Sequence, residues 1–179
     1  QDIWTDHTEK VLGCTAEFVE KNPNTALAMT KAILEACRYI DATANRAPVA
    51  KLISGKAYVN APEEVIAGRF VGDYDNGIGK KWKDPNYMKF FNDGKVNFPY
   101  LSDGMWFLTQ HKRWGLLKSD PDYLAIAKKV NRIDVYTEAA KSLGISVPTD
   151  PMRSSKLIDG VVWNGSNPAA YANGFKVKA

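Results

Sequence analysis

The sequence predicts a helix-rich globular fold with few β-strands. Of its 179 residues, 45% are hydrophobic and 25% are charged, which is typical of a globular protein and argues against a disordered chain. About eight segments carry apolar residues at the spacing of an α-helix. Proline, asparagine and glycine residues separate these segments, as they do at helix boundaries.

The most informative stretch covers residues 97–115 and predicts a helix of about three turns. Ser102 or Asp103 is a suitable N-cap, and Gly115 is a suitable residue to end the helix. One apolar stripe consists of Leu101, Met105 and Leu108. Three further rings lie beside or across from that stripe: Trp106, Phe107 and Trp114. Apolar surface therefore covers more than one side of the helix. We expect these rings to form a structural anchor for other helices rather than a ligand-stacking site.

The N-terminal third predicts three helices. A short one covers residues 10–12 and a second covers residues 16–21. The strongest helix begins at Asn24 or Thr25 and ends at residues 45–48, where Pro48 breaks the pattern. Its expected buried face consists of Ala26, Met29, Ile33, Ala36, Cys37, Ile40 and Ala44.

The middle of the chain predicts shorter elements. A helix covers residues 49–54, and another begins at Pro62, where acidic residues follow in the first turn. Residues 68–79 are expected to be irregular, and a short aromatic helix follows over residues 84–91.

Helical signals resume after the central stretch. Asp120 is the expected N-cap of one helix and Asp134 that of the next. Two short apolar runs, 157–158 and 161–163, flank a turn, and a last short helix covers residues 167–171. These elements offer many amphipathic faces but no sheet for them to cover, which indicates that a partner surface is missing from this chain.

Motifs for catalysis, phosphate binding and zinc binding are absent from the sequence. His7 and His111 stand alone, without a second metal ligand at a suitable spacing. Residues 73–77 resemble the start of a calcium loop, but Ile78 occupies the position of the required glycine, so a turn is favoured. The sequence therefore predicts a binding protein rather than an enzyme, with no catalytic or metal-ligating residues.

The net charge and the two cysteines say little about the function. The net charge of +4 is spread along the chain, with Lys80, Lys81 and Lys83 as its tightest group, so nucleic-acid binding is not expected. Cys14 and Cys37 match no zinc or redox spacing, and Cys37 is expected to be a small buried hydrophobe. The sequence starts without a signal peptide and contains no membrane span, which is compatible with a cytoplasmic chain, a processed product or a fragment.

Several stretches together resemble the solute-binding proteins of cyanobacterial-type nitrate/nitrite and bicarbonate ABC importers. They cover residues 9–13, 20–25, 98–110, 113–115 and 130–132. The resemblance runs along essentially the whole chain, but it corresponds to less than half of such a protein, its C-terminal part. It implies that residues 1–179 are the C-terminal portion of a solute-binding protein, with partial lobes and without the N-terminal portion.

The resemblance implies an α/β fold of the type II periplasmic binding proteins, in which two lobes close on a small inorganic anion. This chain would be the helix-rich C-terminal portion of that fold. The expected partners are an ABC permease and its ATPase subunits. The full-length protein would lie at the periplasmic face of the cytoplasmic membrane, held by an N-terminal lipid that this chain does not include.

One pocket position of the family aligns with Gln1, and Asp2 is the neighbouring option. The resemblance implies a lysine there in nitrate-binding members, and in bicarbonate-binding members a glutamate that helps to hold a metal such as calcium. Gln1 is neither, and its amide offers only neutral hydrogen bonds. Nitrate or nitrite is the favoured ligand, without a cofactor, and bicarbonate with a metal ion is the alternative.

Two further hypotheses remain open. The same module could be fused to an ABC ATPase as a cytoplasmic ligand sensor. It could also be a helical interaction domain that binds no small ligand.

Overall fold

The computed structural model describes residues 3, 4 and 6–176. Within them the helices are α1 (Ala16–Lys21), α2 (Pro23–Asp41), α3 (Thr43–Ser54), α4 (Glu63–Val71), α5 (Leu101–Arg113), α6 (Tyr123–Val130), α7 (Ile133–Ser142) and α8 (Pro168–Asn173). The strands form two antiparallel pairs: β1 (Asp73–Asp75) with β2 (Lys81–Lys83), and β3 (Ser155–Lys156) with β4 (Val162–Trp163). The prediction of a helix-rich chain with few strands is confirmed.

The central predicted helix is confirmed as α5, but it begins earlier than its expected N-cap residues. Tyr100 is the N-cap, and the backbone N–H of Leu101 donates to the carbonyl of Pro151 at 2.8 Å. Ser102 and Asp103 lie inside the first turn, where both are buried. Their side chains bind the segment that contains Arg153, so they are not available to cap the helix.

The prediction that Pro48 ends a helix is wrong, because α2 ends at Asp41 and α3 then continues through Pro48. Because the Pro48 nitrogen carries no hydrogen, α3 lacks one backbone hydrogen bond. Ala50 is 0% exposed, and α3 packs along α4, so burial compensates for that loss.

The predicted buried face of α2 is rotated from the observed one. Leu34 and Ala26 are buried, whereas Met29 and Ile33 are 43% and 40% exposed. Successive side chains of an α-helix point about 100° apart around the helix axis. Met29 and Ile33 therefore lie at the edge of the face that packs against α7.

The predicted helix over residues 84–91 is wrong, because no helix forms there. The carboxylate of Asp41 accepts the backbone N–H groups of residues 90, 91 and 92 at 2.8–3.1 Å. Arg46 is 2% exposed, donates to the carbonyls of Phe70 and Met88, and pairs with Asp41 at 2.6 Å. Side chains thus supply the hydrogen bonds that a helix would otherwise provide.

Three other local predictions differ from the structure. Residues 10–12 form no helix, and the segment expected to be irregular contains the β1–β2 hairpin. In the turn of this hairpin, the Asp75 carboxylate accepts the backbone N–H of Gly77 at 2.8 Å, as in an Asx turn. Asp122 rather than Asp120 caps α6, and Asp134 lies in the first turn of α7 rather than at its N-cap.

Buried side chains form three clusters, and the one around α5 holds the site described below. It contains Trp4, Leu101, Met105, Tyr123, Ala127, Leu157 and Trp163. A second cluster joins α2 to α7 around Leu34 and Tyr136, and a third joins α3 to α4 around Ala50 and Phe70. Among the described residues, no helix has the length and apolar character needed to cross a membrane.

Candidate functional site

Residues 3 and 4 pair with the turn that joins β3 to β4. Trp4 forms an isolated antiparallel bridge with Leu157, and the N–H of Ile158 donates to the carbonyl of Ile3 at 2.9 Å. The Trp4 ring is 2% exposed and meets Trp106 edge to face at 5.3 Å. This segment directly follows the expected pocket positions Gln1 and Asp2, which lie outside the described residues.

A polar cluster fixes that segment to α5. We call it the Arg153 cluster; it consists of Trp4, Thr8, Tyr100, Asp103 and Arg153. The guanidinium of Arg153 forms a two-pronged ion pair with Asp103, through Nε at 2.9 Å and Nη2 at 2.7 Å. Thr8 Oγ1 donates to the same carboxylate at 3.1 Å, and Arg153 Nη2 also donates to the carbonyl of Asp6 at 2.6 Å.

Two aromatic rings complete the Arg153 cluster. The guanidinium carbon lies 5.3 Å from the centre of the Trp4 ring and 4.9 Å from that of Tyr100. The Arg153 side chain is therefore in contact with the segment that contains Trp4 and Asp6 and with the start of α5. Cations at these distances attract the π-electrons of the rings, and a planar guanidinium can do so while its edge binds a carboxylate.

Opposing influences act on the Asp103 carboxyl. Burial raises its pKa, whereas hydrogen bonds from Arg153 and Thr8 and the charge of Arg153 lower it; the net direction is upward. Burial also raises the pKa of the Tyr100 hydroxyl, again against the nearby Arg153 charge. The charged form of Asp103 therefore depends on Arg153, and a variant that removes either partner leaves the other charge partly buried.

The first turn of α5 makes further contacts that explain its sequence. Trp163 Nε1 donates to the carbonyl of Ser102 at 2.8 Å. Asn131 donates from its amide to the carbonyl of Tyr100 at 2.8 Å. A Cβ on Gly104 would lie 2.7 Å from Asn131 Oδ1, so a larger residue there would displace the Asn131 amide from its contact with Tyr100.

The three predicted anchor rings of α5 have different environments. Trp106 is partly buried against the α5 cluster, and its Nε1 donates to the Tyr171 hydroxyl at 3.3 Å. Phe107 and Trp114 are 40% and 47% exposed, which differs from the expectation that all three rings are covered. The spacing explains this result: Phe107, His111 and Trp114 follow at i, i+4 and i+7, on the side of α5 that faces away from the buried stripe.

Open grooves occur at the surface of the described residues, and two of them are the best candidates for a ligand site. One, of about 650 Å³, is lined by the side chains of Arg38 and Lys95 and by residues 144–149. The other, of about 290 Å³, lies between α1, the start of α2 and α7, and contains the Arg132–Asp134 ion pair. Neither groove encloses a set of convergent buried polar groups of the kind that ligand pockets have.

The remaining candidate groups are isolated. His7 contacts the carbonyl of Thr8 through Nδ1, and His111 is exposed. Both cysteines are free thiols: Cys14 is exposed, and burial raises the pKa of Cys37. Among the described residues, no group of three or more His, Cys, Asp or Glu side chains is placed to hold a metal ion.

Comparisons with known proteins cover almost the whole chain. The family model described as NMT1-like matches residues 1–54. The nitrate/nitrite binding protein NrtA of Synechocystis is 34% identical over 99% of this chain and 41% of its own length. The bicarbonate-binding protein CmpA of Synechococcus elongatus is 32% identical over 98% of this chain and 42% of its own length. The nitrate import ATP-binding protein NrtC of Synechocystis is 34% identical over 98% of this chain and 26% of its own length.

The crystal structure of the periplasmic nitrate-binding protein NrtA from Synechocystis PCC 6803 superimposes with a TM-score of 0.89 at 33% identity. The match covers 98% of this chain and 47% of that one. This chain is homologous to the C-terminal portion of these binding proteins. The family resemblance and the fold class expected from the sequence are therefore confirmed: the chain is a helix-rich portion of a two-lobed binding-protein fold. It spans about two fifths of the length of the binding proteins it matches.

In this NrtA and CmpA homologue, two of the stretches that carry the resemblance meet around the start of α5. Residues 98–110 supply Tyr100, Ser102 and Asp103, and residues 130–132 supply the Asn131 amide. Arg153 binds two of these residues but lies in none of the stretches. Its partner Asp103 is 50 residues away in sequence, so neither spacing nor periodicity could have identified it.

Proposed function

We propose that this chain is the C-terminal portion of the substrate-binding component of an ABC importer for a small inorganic oxyanion. Nitrate or nitrite is the favoured ligand, and bicarbonate is the second. The observation that carries the proposal is the similarity to NrtA over 99% of this chain, together with the superposition on nitrate-binding NrtA. These relatives are named as binding proteins, which supports binding rather than catalysis.

The proposal includes the partners and the location. The anion would pass to an ABC permease driven by ATPase subunits, at the periplasmic face of the cytoplasmic membrane. A lipid on the N-terminal portion would hold the full-length protein there. The similarity to the periplasmic nitrate-binding protein NrtA supports the location.

The ligand contact at Gln1 or Asp2 remains part of the proposal. The amide of Gln1 would donate a neutral hydrogen bond to an oxyanion, where a lysine would add a full positive charge. Bicarbonate binding beside a carboxylate would need a metal ion such as calcium to offset the repulsion between the two anions.

Ligand-dependent unfolding of the full-length gene product tests this function. A ligand that binds only the folded state stabilises it by about 2.7 kcal/mol at a concentration of one hundred times Kd. We expect nitrate and nitrite to raise the melting temperature in a saturable manner, and sulfate at equal ionic strength to have no such effect. A melting temperature that no tested oxyanion changes, with or without calcium, would contradict the proposal.

One alternative is a cytoplasmic ligand sensor fused to an ABC ATPase, and the similarity to NrtC is the observation behind it. Both functions predict anion binding, so melting curves do not separate them. The upstream sequence of the gene does: a lipoprotein signal supports the importer component, and a Walker motif supports the sensor. The importer component is preferred because the superimposed structure is that of a binding protein.

A further inference from the structure

The sequence contains three asparagines that directly precede a glycine: Asn76, Asn164 and Asn173. An asparagine in this position can modify itself, because the backbone nitrogen of the glycine can attack the side-chain carbonyl carbon and close a cyclic imide. Glycine favours this reaction, since it has no side chain to hinder the attack. The structure places the three pairs in different environments, so they should not react alike.

We propose that Asn76 is a site of self-catalysed deamidation, in which Asp75 serves as the base and two backbone N–H groups stabilise the charge that develops on the side-chain oxygen. Asn76 and Gly77 lie in the turn between β1 and β2, and both are exposed. The products are an aspartate or an isoaspartate at position 76. This inference is independent of the proposed function, because it depends only on contacts within the β1–β2 hairpin.

Two backbone donors already hold the oxygen on which the charge develops. Asn76 Oδ1 accepts the N–H of Ile78 at 3.0 Å and that of Lys80 at 3.1 Å. When the ring closes, the side-chain carbonyl carbon becomes tetrahedral and its oxygen becomes an oxyanion. Donors that are already aimed at such an oxygen lower the barrier, as they do in the oxyanion holes of acyl-transfer enzymes.

The attacking nitrogen has an acceptor for its proton. The Gly77 N–H donates to Asp75 Oδ1 at 2.8 Å. This hydrogen bond and one from Lys81 hold the pKa of the Asp75 carboxyl below its usual range, so the group is ionised at neutral pH. An ionised carboxylate within hydrogen-bond distance of the proton meets the geometric requirement for a general base.

The turn can make the small movement that ring closure needs. A Cβ atom on Gly77 or Gly79 would meet nothing within 4 Å, so the rest of the described chain does not pack against these positions. The hairpin consists of two strands of three residues each, and isolated two-stranded hairpins are marginally stable.

The other two asparagine–glycine pairs are held more firmly. Gly165 is buried, and a Cβ there would lie 3.1 Å from a neighbouring side chain, so the backbone after Asn164 has little room to move. Asn173 ends α8, and its Nδ2, the group that would leave, donates to Asp120 Oδ2 at 3.0 Å and to the carbonyl of Ala169 at 2.9 Å. These two sites therefore serve as internal references.

The reaction needs only water as a co-reactant. The Gly77 nitrogen forms a bond to Cγ of Asn76, and its proton passes through Asp75 to Nδ2. The Cγ–Nδ2 bond then breaks, and ammonia leaves. Water opens the imide on either side: cleavage of the new N–Cγ bond gives aspartate, and cleavage of the original backbone C–N bond gives isoaspartate.

The test incubates the full-length gene product at neutral pH, both folded and in guanidinium chloride, and follows each site by peptide mass spectrometry. The mass gained when an amide becomes a carboxyl group marks the reaction. In denaturant, the three asparagines should react at similar rates, because only the local sequence remains. In the folded protein, Asn76 should react faster than in denaturant, whereas Asn164 and Asn173 should react several-fold more slowly.

Two serine variants test the role of the base. Asp75→Ser keeps an acceptor for the turn but no base, and should slow the reaction of Asn76 in the folded protein by roughly tenfold. Asp73→Ser is the matched control, because Asp73 is another exposed carboxylate of β1 and pairs with Lys83 at 2.9 Å. The Gly77 N–H binds Asp75 instead, so the rate in Asp73→Ser should equal that of wild type.

Each result supports or overturns a stated part of the proposal. The comparison of folded and denatured wild type needs no variant: faster reaction of Asn76 in the folded protein supports assistance by the hairpin, and equal or slower reaction overturns it. An unchanged rate in Asp75→Ser overturns the role of Asp75 as a base. Equal slowing in Asp75→Ser and Asp73→Ser also overturns that role, because it would show an effect of hairpin charge alone.

Discussion

At the scale of single residues, Tyr136 shows how burial controls a titratable group. Its ring is 4% exposed and meets Phe98 edge to face at 5.3 Å, and its hydroxyl donates to the carbonyl of Gly94 at 2.8 Å. Burial raises the pKa of Tyr136 to about 12. The phenolate would lose its hydration and could no longer donate, so the neutral form is strongly preferred in the folded state.

This shift predicts a loss of stability at alkaline pH. Below about pH 10, the ordinary pKa of tyrosine, Tyr136 is protonated in both states. As the pH rises from there to about 12, the unfolded chain releases the proton while the folded protein keeps it, so the free energy of unfolding falls. Urea denaturation at pH 9, 10 and 11 should therefore show a flatter pH dependence for Tyr136→Phe than for wild type.

The exposed Tyr39 provides the control for that experiment. It is 56% exposed, so Tyr39→Phe removes a hydroxyl that the fold does not bury. At neutral pH, Tyr136→Phe should cost about 1 kcal/mol for the lost hydrogen bond. Equal slopes for wild type and Tyr136→Phe would show that this hydroxyl titrates alike in the folded and unfolded chains.

Two neighbouring rings on α5 allow a matched comparison of burial. Trp106 contacts Trp4, Tyr171 and the α5 cluster, whereas Phe107 is 40% exposed. We expect Trp106→Ala to lower the free energy of unfolding by about 3–5 kcal/mol, as large-to-small core substitutions do, and Phe107→Ala to lower it by clearly less. Chemical denaturation midpoints measure both. A Trp106→Ala midpoint equal to that of wild type would show that the ring is not part of the core.

At the scale of elements, a single carboxylate organises three segments. Asp41 ends α2, pairs with Arg46 of α3 and accepts the backbone N–H groups of residues 90–92. Arg46 in turn donates to the carbonyl of Phe70 at the end of α4. The aromatic residues after the β1–β2 hairpin can therefore be buried without forming a helix.

Removing this carboxylate should be costly. Asp41→Ala leaves the Arg46 guanidinium, at 2% exposure, without its anion, and breaking a buried pair in this way costs about 3–5 kcal/mol. Glu17→Ala is the control, because the Glu17–Lys21 pair is at least 70% exposed on both sides and should contribute less than about 1 kcal/mol. Equal losses in urea denaturation of the two variants would contradict a special role for the buried pair.

The observed contacts explain why some elements could be predicted from the sequence and others could not. Helix α5 was recoverable from its apolar stripe and from Gly115, and α2 from its period, because those signals are local. The non-helical course of residues 84–91 depends on Asp41, which is about 50 residues away, and the Arg153 cluster depends on a pair equally distant. Local patterns contain no information about such partners.

At the scale of the whole molecule, the described residues leave apolar side chains uncovered that the sequence predicts to be buried. Met29 and Ile33 on α2, and Phe107 and Trp114 on α5, are each at least 40% exposed. The missing partner surface that the sequence predicts stays a prediction, because exposure alone does not show what covers these side chains. The chain also spans only about two fifths of the length of NrtA.

These facts lead to a prediction about ligand binding by the chain alone. The resemblance also implies that most pocket residues of such a protein lie in its N-terminal portion, and that Gln1 or Asp2 supplies one further contact. We therefore expect the 179-residue chain, expressed by itself, to bind nitrate at least a hundredfold more weakly than the full-length gene product, since about 2.7 kcal/mol of lost contacts is enough for that factor. Isothermal titration measures both affinities, and circular dichroism with urea denaturation shows whether the short chain is folded.

A folded short chain is essential to that comparison, and the structure indicates how to recognise it. Trp4 and Trp163 are buried in the α5 cluster, so their fluorescence should shift to the red in a cooperative urea transition if the cluster is intact. A folded short chain that binds nitrate as tightly as the full-length protein would mean that the described residues already form the pocket. The assignment of the ligand site to upstream residues would then be wrong, and the grooves beside α1 and around residues 144–149 would become the places to look for it.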